Sequence, residues 1–214
     1  MMRRSIMQVI FKTAAVTTAV SMGLLTSDTA AANDAQQLQS SYRLEAARKF
    51  VTALAALDKV SAKGKQSYIF KLRQGWLLHL NGRYAESIRA YRLAVKAAPR
   101  SVEARLGLTL PQMALRRFKD AADTAHGALK LDADNYTAKS RLAYCTYNLG
   151  RYAESMRHYK RLLELYPSDV EMRVGLGWAQ LKLGKKDQAA RTFNQALAIS
   201  PHHNMAAQGL ALSK

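Results

Sequence analysis

The chain has 214 residues, 49% of them hydrophobic and 22% charged, with 33 lysines and arginines against 15 aspartates and glutamates, for a formal net charge of +18. This balance excludes wholesale disorder and an acidic solvating chain, and 11 glycines with 4 prolines leave too few breakers for the many tight turns of a β sandwich or barrel. The single cysteine, Cys145, closes no intrachain disulfide and builds no four-thiolate zinc site, so the expectation is an all-α chain held together by packing.

Residues 1–32 read as an export signal. Arg3 and Arg4 supply a basic start, the uncharged stretch from Thr13 to Ser27 an apolar middle, and Ala30-Ala31-Ala32 a small-residue end that places cleavage after Ala32. A membrane span needs about 20 apolar residues, and this stretch is shorter and diluted by Thr and Ser. The Arg3-Arg4 pair fits either the general or the twin-arginine route. Cleavage would leave a soluble periplasmic or extracellular chain of net charge +16, since it removes Arg3, Arg4, Lys12 and Asp28.

Residues 35–60 read as one helix, with Leu44, Ala47, Val51, Leu54 and Leu57 at three- and four-residue steps, outside the repeat that follows. Residues 33–67 are thus expected to form a capping helix and a basic connection, Ser61-Ala62-Lys63-Gly64-Lys65. Then the chain repeats. Gly82-Arg83-Tyr84-Ala85-Glu86-Ser87 returns as Gly150-Arg151-Tyr152-Ala153-Glu154-Ser155, two periods of 34 later, with Arg116-Arg117-Phe118-Lys119-Asp120-Ala121 between them and Gly184-Lys185-Lys186-Asp187-Gln188-Ala189 beyond. Four gapless units follow: 68–101, 102–135, 136–169 and 170–203, ended by Pro99, Ala133, Pro167 and Pro201. Residues 204–214 predict a short closing helix whose exposed end invites self-association.

Counted within a unit, small residues stand at place 8 (Gly75, Ala143, Gly177, with Thr109 as the exception) and at place 20 (Ser87, Ala121, Ser155, Ala189). Aromatics stand at place 17 (Tyr84, Phe118, Tyr152, broken by Lys186) and recur at place 24 (Tyr91, Tyr159, Phe193). The pattern resembles the tetratricopeptide repeat family. The resemblance implies a right-handed superhelical solenoid of antiparallel helix pairs, with the first helix of each pair lining a concave groove. Place 9 would face that groove, and it holds Trp76, Leu110, Tyr144 and Trp178, with Leu72, His79, Tyr147 and Asn148 around them. These eight residues are the candidate peptide-binding set; the competing reading makes the rings core filling between successive helices. Lys, Asn and Arg do not stand where one subtype of the family grips a terminal carboxylate, so that clamp is not recognisable. Pro111, inside a first helix, removes a hydrogen bond to Gly107 and predicts a bend.

Arg89, Arg92 and Lys96 share a face of a second helix, with Arg100 close by, and form a candidate polyanion-binding patch for anionic lipid, acidic polysaccharide or an acidic protein; a solvated basic surface is the alternative. Nucleic acid is disfavoured for want of a base-reading motif. The five histidines are scattered apart from the pair His202-His203, which reads as loop and not as a metal site, no phosphate loop or metalloprotease spacing occurs, and Cys145 reads as a buried small residue. No cofactor or metal is expected. The sequence therefore predicts a non-enzymatic, exported bacterial interaction scaffold, with a surface tether or a self-assembling structural protein as the alternatives.

Overall fold

The computed structural model describes residues 29–214. Of the expected export signal, residues 1–28 lie outside the described residues, and 29–32 form the first turn of a helix. The described residues form eleven α-helices and no strand: α1 (29–46), α2 (Phe50–Ala56), α3 (Tyr68–Leu80), α4 (Tyr84–Ala97), α5 (Val102–Ala114), α6 (Phe118–Leu129), α7 (Tyr136–Asn148), α8 (Tyr152–Leu165), α9 (Val170–Lys182), α10 (Lys186–Ile199) and α11 (Asn204–Leu212). Each helix packs chiefly on its neighbours in sequence, and the first helices also touch one another in the order α3, α5, α7, α9, α11. This is the all-α solenoid of helix pairs that the period implies.

Two recurrences set the boundaries. Ser67, Ser101, Asn135, Asp169 and His203, spaced by 34, each cap the first helix that follows, their side chains accepting from the backbone N–H of Phe70, Ala104, Ala138, Met172 and Ala206. Each cap satisfies a donor that the helix leaves without an internal partner. At the turn between helices the backbone adopts positive φ at Gly82 (73°), Gly150 (76°) and Gly184 (73°), where the missing Cβ removes the steric penalty. It does the same at Arg116 (56°) and Arg48 (57°).

Arg48 corrects the reading of 35–60 as one helix outside the repeat. The chain breaks between α1 and α2, and Arg48 stands 34 residues before Gly82. Ser41, Ala53, Leu57 and Val60 then fall on places 8, 20, 24 and 27, and all four are buried. The helix pair α1–α2 thus keeps the repeat register. An arginine at the left-handed turn position conceals it from a search keyed to glycine.

The core is a chain of small clusters, one for each junction. At three junctions the place-24 ring meets place 6 of the next first helix. Where place 24 is a ring, place 6 is glycine: a Cβ would lie 2.2 Å from the Tyr91 ring at Gly107, 2.5 Å from Tyr159 at Gly175 and 2.2 Å from Phe193 at Gly209. Where place 24 is smaller, Leu57 or Ala125, place 6 is Arg73 or Arg141. α5 continues through Pro111, which is buried in the helix's last turns. At the far end α11 covers Phe193 while leaving Met205 and Leu212 exposed.

Candidate peptide-binding groove

A period of 34 residues brings each first helix back in the same orientation, so equivalent places of α3, α5, α7 and α9 fall on one side of the stack. Two cavities open there. One, of about 750 Å³, is lined by Leu72, Trp76, Leu106 and Leu110 together with Tyr42, Glu45, Arg73, Glu103 and Arg141. The other, of about 390 Å³ and mostly apolar, is lined by Met113, Ser140, Tyr144, Tyr147, Val174 and Trp178 with Arg141, Tyr159, Glu171, Met172 and Met205. Arg141 borders both.

Six of the eight residues singled out from the sequence therefore line a cavity, with Leu72, Trp76 and Leu110 in one and Tyr144, Tyr147 and Trp178 in the other. His79 and Asn148 line neither. His79 stacks between Trp76 and Tyr84, with ring centroids 5.9 and 5.3 Å away. Asn148 Nδ2 donates to the Tyr144 carbonyl of its own helix at 2.9 Å.

The groove rings are braced from behind. Tyr147 meets Tyr152 edge-on at 5.3 Å, Trp178 meets Phe193 at 5.7 Å, and Tyr144 meets Phe118 at 6.0 Å. Such pairs fix ring orientation at low entropic cost to a later contact. Trp76 packs on the clusters beneath it and donates through Nε1 to Glu45 at 2.7 Å. Trp178 Nε1 is buried without an acceptor among the described residues, whereas Tyr144 is 44% exposed. The tryptophans thus serve packing on one face and the cavity on the other.

Sequence reading passed over the two arginines at place 6. Arg73 is buried; it pairs with Glu45, donates to Ser41 Oγ at 2.9 Å and lies 3.8 Å over the Tyr42 ring. Arg141 is half-buried; its Nη1 donates to the Leu106 carbonyl and, at 2.7 Å, to Thr109 Oγ1. Burial holds its guanidinium below the usual arginine range. The signal was available: Arg73, Gly107, Arg141 and Gly175 alternate at the same place.

Elsewhere, Arg89, Arg92, Lys96 and Arg100 are exposed on and just after α4, and of these Arg89 approaches a carboxylate, Glu86, at 4.0 Å. Cys145 is fully buried, and burial pushes its thiol up to about 11, which suits packing and not nucleophilic attack. Among the described residues no group of three His, Cys, Asp or Glu is placed to hold a metal ion, and no helix is long and apolar enough to cross a membrane.

Comparison with known proteins places this geometry. The tetratricopeptide repeat profile matches residues 38–102, 112–170 and 147–204. The Protein CTR9 homolog of Arabidopsis thaliana is 36% identical over 89 residues, covering 41% of this chain and 8% of that protein; the chain spans no more than a fifth of the curated relatives it matches. Among solved structures, YrrB, described as a tetratricopeptide repeat protein with an unusual peptide-binding site, superimposes with a TM-score of 0.69 at 18% identity over 80% of this chain and 89% of its own. MamA from Desulfovibrio magneticus RS-1 gives 0.74 at 14% identity over 80% and 97%.

Proposed function

Because the chain belongs to the tetratricopeptide repeat family and is built as a protein–protein interaction scaffold, we propose that it is a non-enzymatic adaptor that receives an extended or helical segment of a partner protein on its concave side. The observation that carries this reading is the apolar cavity of about 390 Å³ walled by Met113 of α5, Tyr144 and Tyr147 of α7, Trp178 of α9 and Met205 of α11. It combines rigid rings with flexible methionine side chains, a lining that accepts an apolar anchor residue of a peptide. The export reading of residues 1–32 would put the adaptor in a bacterial envelope, in an assembly or secretion apparatus.

Tyr144 is the position to test, because its exposure lets it be shortened with little damage to the stack. Tyr144→Ala is expected to weaken binding of the partner segment by roughly 1–3 kcal/mol, read by calorimetric titration, while helix content stays unchanged by circular dichroism. Unaltered affinity would reject the groove.

A second reading rests on the exposed basic run Arg89, Arg92, Lys96 and Arg100, which would tether the protein to anionic lipid or acidic polysaccharide. Such binding collapses as salt rises, whereas a complex built on apolar burial persists.

A further inference from the structure

Two arginines stand at place 6 of first helices, and they differ in what faces them. Arg73 on α3 is paired with Glu45, which also accepts from Trp76 Nε1. Glu45 stands at place 12 of the preceding first helix, and Trp76 at place 9 of Arg73's own. One pair of units later the corresponding residues are Arg141, Met113 and Tyr144. The slot that holds a carboxylate opposite Arg73 thus holds a thioether opposite Arg141, and Met113, Arg141 and Tyr144 line the same cavity.

No carboxylate among the described residues forms an ion pair with Arg141, and both oxygens that its Nη1 reaches, on Leu106 and Thr109, are neutral. The acids in the walls of the two cavities are engaged elsewhere: Glu45 by Arg73, Glu103 by the Tyr68 hydroxyl at 3.0 Å, Glu171 by His203 at 3.0 Å, and Asp132 by Asn135 Nδ2 at 2.9 Å and the Asp134 backbone N–H at 3.3 Å. A half-buried guanidinium without a counter-charge is costly, and a carboxylate brought to it out of water forms a strong, geometrically selective contact.

We propose that Arg141 anchors a carboxylate of the bound segment, seated beside Met113 and Tyr144 as Glu45 is seated beside Arg73 and Trp76. The inference rests on the groove reading above and names its ligand class: an acidic peptide whose Asp or Glu side chain, or whose C-terminus, lies next to an apolar residue that enters the cavity toward Trp178. The net charge of +18 steers such a segment toward the protein.

The test exposes synthetic arrays of short random peptides, with free and with amidated C-termini, to the wild-type protein and to Arg141→Gln, Arg141→Lys, Met113→Glu and the convex-face control Arg89→Gln/Arg92→Gln. The wild type is expected to select peptides with an acid beside an aliphatic or aromatic residue, and replacing that acid by its amide should weaken binding about tenfold. The preference should vanish in Arg141→Gln and persist in Arg141→Lys and in the convex-face control. Its loss on amidation assigns the carboxylate to the chain end, and its persistence assigns it to a side chain. In Met113→Glu the chain supplies its own carboxylate, so this variant should lose the preference while its thermal midpoint rises; it also keeps the test open if Arg141→Gln does not fold. Acid preference that survives in Arg141→Gln or in Met113→Glu, or that disappears in the convex-face control, overturns the proposal. Apolar selection by the wild type without acid preference overturns it and leaves the groove standing. Absence of any selection by the wild type overturns both.

Discussion

Single residues carry opposite strains in equivalent turns. Three of the five turns between paired helices use glycine at positive φ, and Arg48 and Arg116 take up the same conformation with a Cβ in place. A non-glycine residue there meets its own carbonyl, at a cost of about 1 kcal/mol. Arg116→Gly and Arg48→Gly, both at exposed positions, are therefore expected to stabilise the protein by about 0.5–1 kcal/mol each in urea unfolding, less the entropy glycine adds to the unfolded chain. Two histidines act in the reverse sense. Burial holds the imidazoles of His79 and His158 below the ordinary range, in His158 against the pull of Glu154. A depressed folded-state value means that the unfolded chain takes up protons first as pH falls. Stability is thus retained above about 6.5, the ordinary imidazole value, and declines as pH drops from there toward the depressed value. His79→Gln with His158→Gln should flatten that decline in thermal melts followed across pH.

Between helices, fit is set by pairs of side chains whose volumes answer one another. Tyr91, Tyr159 and Phe193 each press on a glycine of the next first helix, while after Leu57 and Ala125 the equivalent place of the next first helix holds arginine. Gly175→Ala would place a methyl 2.5 Å from the Tyr159 ring and should cost roughly 1–3 kcal/mol. Adding Tyr159→Leu should return part of that loss, so the double variant is expected to be more stable than the sum of its singles in a double-mutant cycle. Unit boundaries were legible because the turns are local events, with glycine after a first helix and proline after the second; the caps before the first helices, Ser67, Ser101, Asn135, Asp169 and His203, came only with the coordinates. The α1–α2 pair was not legible either, since Arg48 does a glycine's task and Phe50 begins a helix of only seven residues. In the groove, the rings at place 9 were visible once the period was joined to what the family resemblance implies about that place. Arg141 was not, because its meaning lies in the carboxylate that its neighbour in sequence space, Arg73, possesses and it does not. The roles of His79 and Asn148 also needed coordinates: their spacing put them beside the groove, and stacking and a bond to their own helix occupy them.

At the scale of the whole molecule, each junction is covered by the next, and the last cover is α11. Phe193, Ala189, Ala196 and Val174 share a cluster with Ala206, so removing residues 204–214 uncovers it. That truncation is expected to cost about 2 kcal/mol or more from the phenyl ring alone and to produce concentration-dependent association in sedimentation. The pairing of ring with glycine and of smaller residue with arginine has a further result: the interfaces come in two kinds, and a unit can be removed cleanly only where the ends it leaves match. Excising one unit, residues 102–135, would splice Tyr91 onto Arg141 and jam two bulky groups into one space. Excising two, residues 102–169, would splice Tyr91 onto Gly175 and rejoin like with like. The shorter chain left by the larger cut should therefore fold more cooperatively than the longer chain left by the smaller one, because what matters is which ends are joined and not how many units remain.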